Sequence, residues 1–382
     1  MRVFLVAGEP SGDKLGAALM AGLKQLSEVE FLGVGGPLMQ AEGMVSQFPM
    51  DELSVMGLAE VLPKYPALRR RLHQTAEAVL KEKPDVLITI DSPDFCLRVA
   101  KLVKAKSAIR TVHYVAPSVW AWRAGRAREM AHYIDHVLAL LPFEPPLMQA
   151  EGMQCDFVGH PVVSEPVPSH KDISDFRHKH ALGTDPILLV LPGSRRSEVM
   201  RLAPRFGEAL RTVLDQYPDL RLVAPTTTAA EPVLREAVKE WPAEPIILAQ
   251  GEMRPSDYAF EKICAFYAAN YALAASGTVS LELAAAGTPM VIAYDANWLT
   301  RQIVSAMIKV DTVTLVNLVS DTRAVPEFIG KDCRADLIGA GVLKMIADHA
   351  EQLDAMRITM ERLGQGAEAP GLRAARAVLN RL

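Results

Sequence analysis

Short apolar runs separated by helix-length amphipathic stretches recur along most of this chain. That alternation restricts it to parallel sheets crossed by helices. In the first part the runs are RVFLVA, FLGVGG, DVLITID, TVHYVA and HVLALLP, with helix candidates such as Lys14 to Leu26 between them. A polar stretch with prolines and histidines follows Gly159-His160-Pro161 as far as Asp185, and the pattern restarts with ILLVLPGSR, RLVAPT, IILAQ, YALAASG and PMVIAY. The sequence therefore predicts two Rossmann-like, doubly wound α/β domains, 1–165 and 166–335, facing a crevice at the carboxyl ends of their strands. Residues 336–382 read as helical with no further strand, able to pack on either domain. No internal repeat, low-complexity tract or coiled-coil heptad is present.

A chain of 382 residues, half of them hydrophobic, can bury a large core and favours two or three domains. Its formal net charge of −4 gives no global attraction to nucleic acid or to an anionic membrane, so partners must be sought in local features. Cys96, Cys155, Cys264 and Cys333 lack CxxC or metal-finger spacing and read as reduced thiols of a cytosolic protein, with neither zinc nor disulfides expected. The start MRVFLVAGEP passes from one short β-like run into a turn, without the apolar stretch of a signal peptide. No uninterrupted apolar segment reaches membrane-spanning length.

Several corners between strand and helix carry residues suited to chemistry. In ALAASGTVSLELAAAGTP, Ala272 to Pro289, an apolar run breaks at Ser276-Gly277-Thr278 and a helix begins at once. First-turn amides and the positive end of the macrodipole make this a plausible phosphate site, with Glu282 as an acceptor for a sugar diol. An ordinary strand-to-helix turn with a solvated Glu gives the same pattern. Val6 to Asp13 supplies Gly8 and Gly12 for close backbone approach, and Glu9, Ser11 and Asp13 as acceptors or a helix cap, for a helix starting near Lys14. It is neither a GxGxxG fingerprint nor a Walker loop. Gly33-Val-Gly-Gly-Pro37 is a second glycine corner, or simply a tight turn.

Ile90-Asp91-Ser92-Pro93-Asp94-Phe95 puts Asp91 at a strand end, where a carboxylate can serve as general base toward a hydroxyl, and Asp94 where it would be an N-cap. No DxD triplet suggests a cation bridging a diphosphate. His113 to Arg123, HYVAPSVWAWR, brings Trp120 and Trp122 into one loop as a sugar or acyl platform, with Arg123 for an anion, or as a core plug. Leu191 to Glu198, LPGSRRSE, offers Ser194 as a binding residue and Arg195 for a leaving diphosphate, or simply as a surface arginine near a helix start. Finally, Met50 to Gln74 mixes apolar residues with Arg69, Arg70 and Arg71, as an interfacial segment or an ordinary partly buried helix pair would.

Together AGEPSGDKLGA, GVGGPLM, IDSPDF, HYVAPSVWAWR, LPFEP, FVGHP, LPGSRRSEV, ASGTVSLE, PMVIAY and VPEFI resemble, in order, the lipid-A-disaccharide synthase family, from the first strand to about Ile329. The resemblance implies the GT-B architecture and an inverting, metal-independent glycosyl transfer with no cofactor. Its reaction moves 2,3-diacylglucosamine from UDP-2,3-diacylglucosamine to 2,3-diacylglucosamine 1-phosphate (lipid X), forming a β-1,6 disaccharide phosphate and UDP. Carried over by motif, Asp91 is the base, Arg195 neutralises the departing UDP, and Gly277, Thr278 and Glu282 cradle phosphates and ribose. Glu9 and Ser11 face the crevice, and Asn317 contacts the donor.

Three positions depart from the family pattern: Val316 precedes Asn317 where proline is usual, Cys96 stands where Asn is common, and Asp295 where a basic residue often appears. They bear on fine contacts, not on the reaction class. The family also implies association with the cytoplasmic face of the inner membrane and a homodimer exchanging C-terminal elements. Another UDP-sugar enzyme of the same fold, such as a peptidoglycan glucosaminyltransferase or an epimerase, would differ in acyl dependence. A nucleotide-binding or lipid-carrier protein would need neither Asp91 nor Arg195. A dehydrogenase would carry the missing dinucleotide fingerprint.

Overall fold

The computed structural model describes residues 1–53, 58–120, 125–251, 253–295 and 311–382, with backbone alone for 58–64. Its contacts group Met1–Ser164 with Leu363–Leu382 in one unit and Glu165–Arg362 in the other.

The first unit is built on a fully parallel seven-stranded sheet of order β3-β2-β1-β4-β5-β6-β7. The strands are β1 Arg2–Ala7, β2 Glu30–Val34, β3 Val45–Ser46, β4 Val86–Ile90, β5 Arg110–Tyr114, β6 His136–Ala139 and β7 Gln154–Phe157. Its helices are α1 Pro10–Leu26, α2 Pro37–Ala41, α3 Leu58–Glu82, α4 Pro93–Lys104, α5 Gly125–Met130 and α6 Pro145–Gln149. β1 is buried on both sides, which explains its unbroken apolar sequence. Val3, Leu5 and Ala7 pack with Leu15 and Leu19 of α1, whereas Phe4 and Val6 pack with Cys96, Leu97 and Val99 of α4. Alternate side chains of one strand thus feed two cores.

The second unit repeats the plan with a parallel sheet of order β10-β9-β8-β11-β12-β13. Its strands are β8 Ile187–Leu191, β9 Arg221–Pro225, β10 Ile246–Leu248, β11 Tyr271–Ala275, β12 Met290–Tyr294 and β13 Glu327–Ile329. The helices are α7 His170–Lys179, α8 Arg196–Gln216, α9 Glu231–Ala237, α10 Pro255–Ala268, α11 Val279–Ala286, α12 Leu315–Ser320, α13 Ala335–Ala347 and α14 Ala350–Leu363. Each apolar run expected as a strand contains one. β3, β7 and β13 have no such run, because each is a short edge strand with mixed burial.

Two local expectations, the start of α1 and the role of Asp13, are corrected, and the open placement of the C-terminal helices is resolved. α1 begins at Pro10, one turn before Lys14, because proline is pre-organised for the first helical position. The segment after residue 335 is divided between the units: α13 packs on α8 in the second, whereas α15, Pro370–Leu379, lies along α1 in the first. Asp13 is buried with 3% exposure, and its carboxylate accepts hydrogen bonds from the N–H groups of Gly36, Leu38 and Met39 at 2.9, 3.0 and 3.0 Å. Pro37 has no N–H and Gly36 no side chain, so α2 cannot cap itself and Asp13 of α1 does it instead. Gly12 is equally internal. A Cβ there would stand 3.3 Å from the Ile90 carbonyl oxygen, so its smallness seats α1 on β4.

No helix among the described residues is long and apolar enough to cross a membrane. α15 meets α1 through small residues: a Cβ on Gly371 would lie 2.5 Å from the Ala18 carbonyl oxygen, and one on Gly22 would lie 2.7 Å from that of Gly371. Both obstacles are backbone and cannot rotate away. Gly371→Ala is therefore expected to destabilise the first unit by about 1–3 kcal/mol, seen as a lower thermal midpoint. An unchanged midpoint would show that this helix pair does not need its close approach.

Candidate active site

In each sheet the winding reverses at one point, between β1 and β4 in the first unit and between β8 and β11 in the second. Open parallel sheets leave room for a ligand outside the carboxyl ends of the strands flanking such a point.

In the first unit Ala7 is paired with Ile90, so Gly8-Glu9 and Asp91-Ser92 leave the sheet side by side. Glu9 is the N-cap residue of α1, and the Ser11 hydroxyl donates to Asp91 Oδ2 at 3.2 Å. Asp91 and Ser92 both adopt the left-handed region, with φ of 51° and 40°, and the Asp91 N–H donates to the Tyr114 carbonyl at 2.9 Å. Two successive non-glycine residues there are costly, and such strain collects at functional sites. Ser92, not Asp94, is the N-cap residue of α4. The Asp94 side chain is 95% exposed in the first turn.

The groups beneath this corner are not available for proton transfer. His113 is buried against Thr89, with Nδ1 2.8 Å from Oγ1, and burial together with the Arg126 charge lowers its pKa to about 3. Cys96 is fully buried with Sγ 3.6 Å from the Val6 carbonyl oxygen, and burial pushes its thiol well up. Its departure from the family pattern therefore concerns packing. Trp120 meets Phe143 edge-on, with ring centroids 5.5 Å apart, while Trp122 and Arg123 lie outside the described residues.

The second unit has a cavity of about 500 Å³ at its switch point, within the usual range for a small-molecule site. It collects Ser194, Arg195, Ser276, Gly277, Thr278 and Glu282 from two chain segments. Arg195 is the N-cap residue of α8 with its side chain 62% exposed. Glu198 Oε2 accepts from the Ser194 and Arg195 N–H groups at 3.1 and 3.2 Å, filling the positive end of that helix with an internal carboxylate. Gly277 has φ of 154° at the start of the turn into α11, a conformation that favours glycine.

Four wall residues were not anticipated: Thr226, Thr227, Tyr258 and Lys262. Thr226 and Thr227 follow the carboxyl end of β9, and Thr227 Oγ1 donates to the Ser194 carbonyl at 2.7 Å. Tyr258 and Lys262 are four apart on α10 and so share a helix face, the one signal the sequence offered. Lys262 Nζ donates to Glu282 Oε2 at 2.7 Å.

Asn317 is elsewhere. It is 1% exposed, accepts from the Val325 N–H at 3.0 Å and donates to the Val325 carbonyl at 2.9 Å and to Thr312 Oγ1 at 3.3 Å. Its amide ties α12 to the segment entering β13, in place of the expected donor contact. Asp295 is also internal, ion-paired with Arg205 at 2.7 Å.

Two parallel sheets with six and seven strands, each with its open switch point, define the GT-B class of nucleotide-sugar enzymes. Solved structures share this fold: a UDP-GlcNAc 2-epimerase from Neisseria meningitidis matches with a TM-score of 0.65 at 12% identity, covering 100% of this chain and 99% of its own. The S. aureus MnaA–UDP structure matches with a TM-score of 0.64 at 15% identity, covering 100% and 95%. The chain belongs to the lipid-A-disaccharide synthetase family, whose model matches residues 3–375. Lipid-A-disaccharide synthase of Ruegeria pomeroyi is 62% identical over 100% of this chain and 96% of its own, and that of Rhodospirillum centenum is 47% identical over 99% and 94%. The chain is accordingly an enzyme, a glycosyltransferase.

One buried acid makes the first unit sensitive to alkali. Glu144 is 3% exposed and accepts from the Leu141 N–H at 2.9 Å, and burial pushes its carboxyl up to about 7. In the unfolded chain the carboxyl titrates near 4.3, so between that pH and about 7 the folded state binds more protons and stability falls as pH rises. Glu144→Gln keeps the acceptor and removes the titration. Its thermal midpoint is expected to exceed that of the native chain at pH 8, by the equivalent of on the order of 1–3 kcal/mol, and to match it near pH 4. Parallel pH profiles for the two proteins would contradict this account of Glu144.

Proposed function

We propose that this chain transfers 2,3-diacylglucosamine from UDP-2,3-diacylglucosamine to 2,3-diacylglucosamine 1-phosphate, forming the β-1,6-linked disaccharide 1-phosphate and UDP. Asp91 takes the proton from the acceptor 6-hydroxyl as that oxygen attacks the donor's anomeric carbon. The bond from that carbon to the UDP oxygen breaks, with inversion. The observation that carries this reading is the Asp91 carboxylate at the switch point, oriented by the Ser11 hydroxyl at 3.2 Å. Glu9 stands beside them as a further polar contact.

In the second unit, the Arg195 guanidinium neutralises charge growing on the leaving diphosphate. Ser194 and the Ser276-Gly277-Thr278 turn bind phosphate oxygens, and Glu282, steadied by Lys262, accepts from the ribose hydroxyls. Trp120 supports the acceptor's sugar or acyl surface, and Arg123 an anion.

The acylated substrates call for access to a lipid surface, and we assign the enzyme to the cytoplasmic face of the inner membrane. Exposed Tyr65, Arg69 and Arg70 support contact there. Arg71 has another task, donating to both Glu52 carboxylate oxygens at 2.8 Å. We further propose a homodimer, which light scattering of the purified chain tests directly.

UDP release is the decisive assay, using UDP-2,3-diacylglucosamine with and without the acceptor, and UDP-N-acetylglucosamine as the non-acylated control. Release that requires both acylated substrates is expected, and turnover of the non-acylated donor alone would refute the reading. Asp91→Asn keeps the hydrogen-bond acceptor but removes the base, and is expected to lower kcat by about a hundredfold to ten-thousandfold with the fold intact.

A further inference from the structure

The first unit holds a second cavity, of about 520 Å³, that none of the roles above uses. Asp94, Arg98 and Lys101 of α4 line it together with Arg126 and Glu129 of α5 and Tyr133. Three cations thus face two carboxylates, and neither carboxylate is held tightly. Arg126 Nη2 is 3.7 Å from Asp94 Oδ1, beyond hydrogen-bond distance, although the Arg126 side chain is only 25% exposed. Lys101 Nζ is 3.3 Å from Glu129, with both side chains more than 60% exposed. No ion pair engages Arg98 among the described residues.

Among the described residues the Arg126 guanidinium, three-quarters out of water, has no hydrogen-bonded counter-charge, a costly state unless an anion completes it. The cavity opens on α4, the helix that starts two residues after Asp91. Arg98 stands one helical turn beyond Asp94, about 6 Å along the axis. A sugar presenting a hydroxyl to Asp91 would direct an anionic group on its far side down α4 toward Arg98 and Arg126.

We propose that this cavity is the subsite for the acceptor's phosphate, a sugar-phosphate dianion gripped by Arg98 and Arg126 with Lys101 as outer counter-charge. The proposal rests on the acceptor assigned under Proposed function. Guanidinium forks match phosphate oxygens in pairs, and such charge-assisted bonds are stronger than neutral ones. Asp94 and Glu129 are solvated and can turn outward as the phosphate enters.

The test compares 2,3-diacylglucosamine 1-phosphate with its dephosphorylated counterpart as acceptors, for the native enzyme and for Arg98→Gln, Arg126→Gln and Arg126→Lys. The native enzyme is expected to favour the phosphorylated acceptor. Each Gln variant should raise the KM for that acceptor by about tenfold or more, leave the donor KM unchanged, and lose most of the preference between acceptors. Arg126→Lys should recover part of it, which a merely misfolded protein would not. Equal losses on both acceptors, or an unchanged preference, would overturn the subsite. Binding to phosphatidylglycerol vesicles, with phosphatidylcholine as control, separates a second source of the same anion. Loss of vesicle binding with the acceptor preference retained would make the cavity a headgroup site and also overturn the proposal. A native enzyme inactive with both acceptors would instead remove the reaction reading on which the subsite depends.

Discussion

The pairing of β1 with β4 governs the first unit. Successive crossovers carry the chain toward one edge through β2 and β3, and the return to β4 sends the remainder to the other. The helices that follow these two strands then cover opposite faces: α1 joins the core of Val3 and Leu5, whereas α4 joins that of Phe4 and Val6. Their first turns cannot close over the strand ends. The polar residues of both corners stay outside the cores in the gap that results, and the left-handed backbone at Asp91 and Ser92 is the local cost of turning within one residue of the sheet.

Charge is arranged differently at the two switch points. In the first unit the Asp91 carboxylate accepts from the Ser11 hydroxyl, and Glu9 leaves the neighbouring strand end. In the second, a helix start already occupied by Glu198 stands next to an exposed Arg195, and Lys262 is matched to Glu282. Lys262 is thus already held by a carboxylate at 2.7 Å, whereas the Arg195 guanidinium, 3.5 Å from Glu198, is free to turn.

Much of this was readable from the chain itself. The paired sheets follow from the apolar runs, and the corners at Glu9, Asp91, Arg195 and Gly277 follow from where those runs stop. Side-chain direction was not readable. Ser11 and Asp13 occupy the same helical turn, yet the roughly 100° rotation per residue sends one hydroxyl to Asp91 and the other residue's carboxylate into the core to cap α2. Asn317 misled for a related reason: an amide can complete a backbone pair as readily as it can bind a ligand, and nothing in its neighbours in sequence names Val325 as the partner. Tyr258 and Lys262 were overlooked because α10 carries no glycine-rich corner, and only folding brings it against the start of α11.

The return of α15 to the first unit makes the second unit an insertion between residues 164 and 363 of the first. The inserted unit is continuous and can complete its core while synthesis is still under way. The earlier sheet must wait with the α1 surface around Gly22 uncovered until the last residues leave the ribosome. Maturation of the Glu9 and Asp91 corner thus comes last, although its residues are made first. A chain stopped short by a few dozen residues would lose the fold at its beginning and not merely at its end.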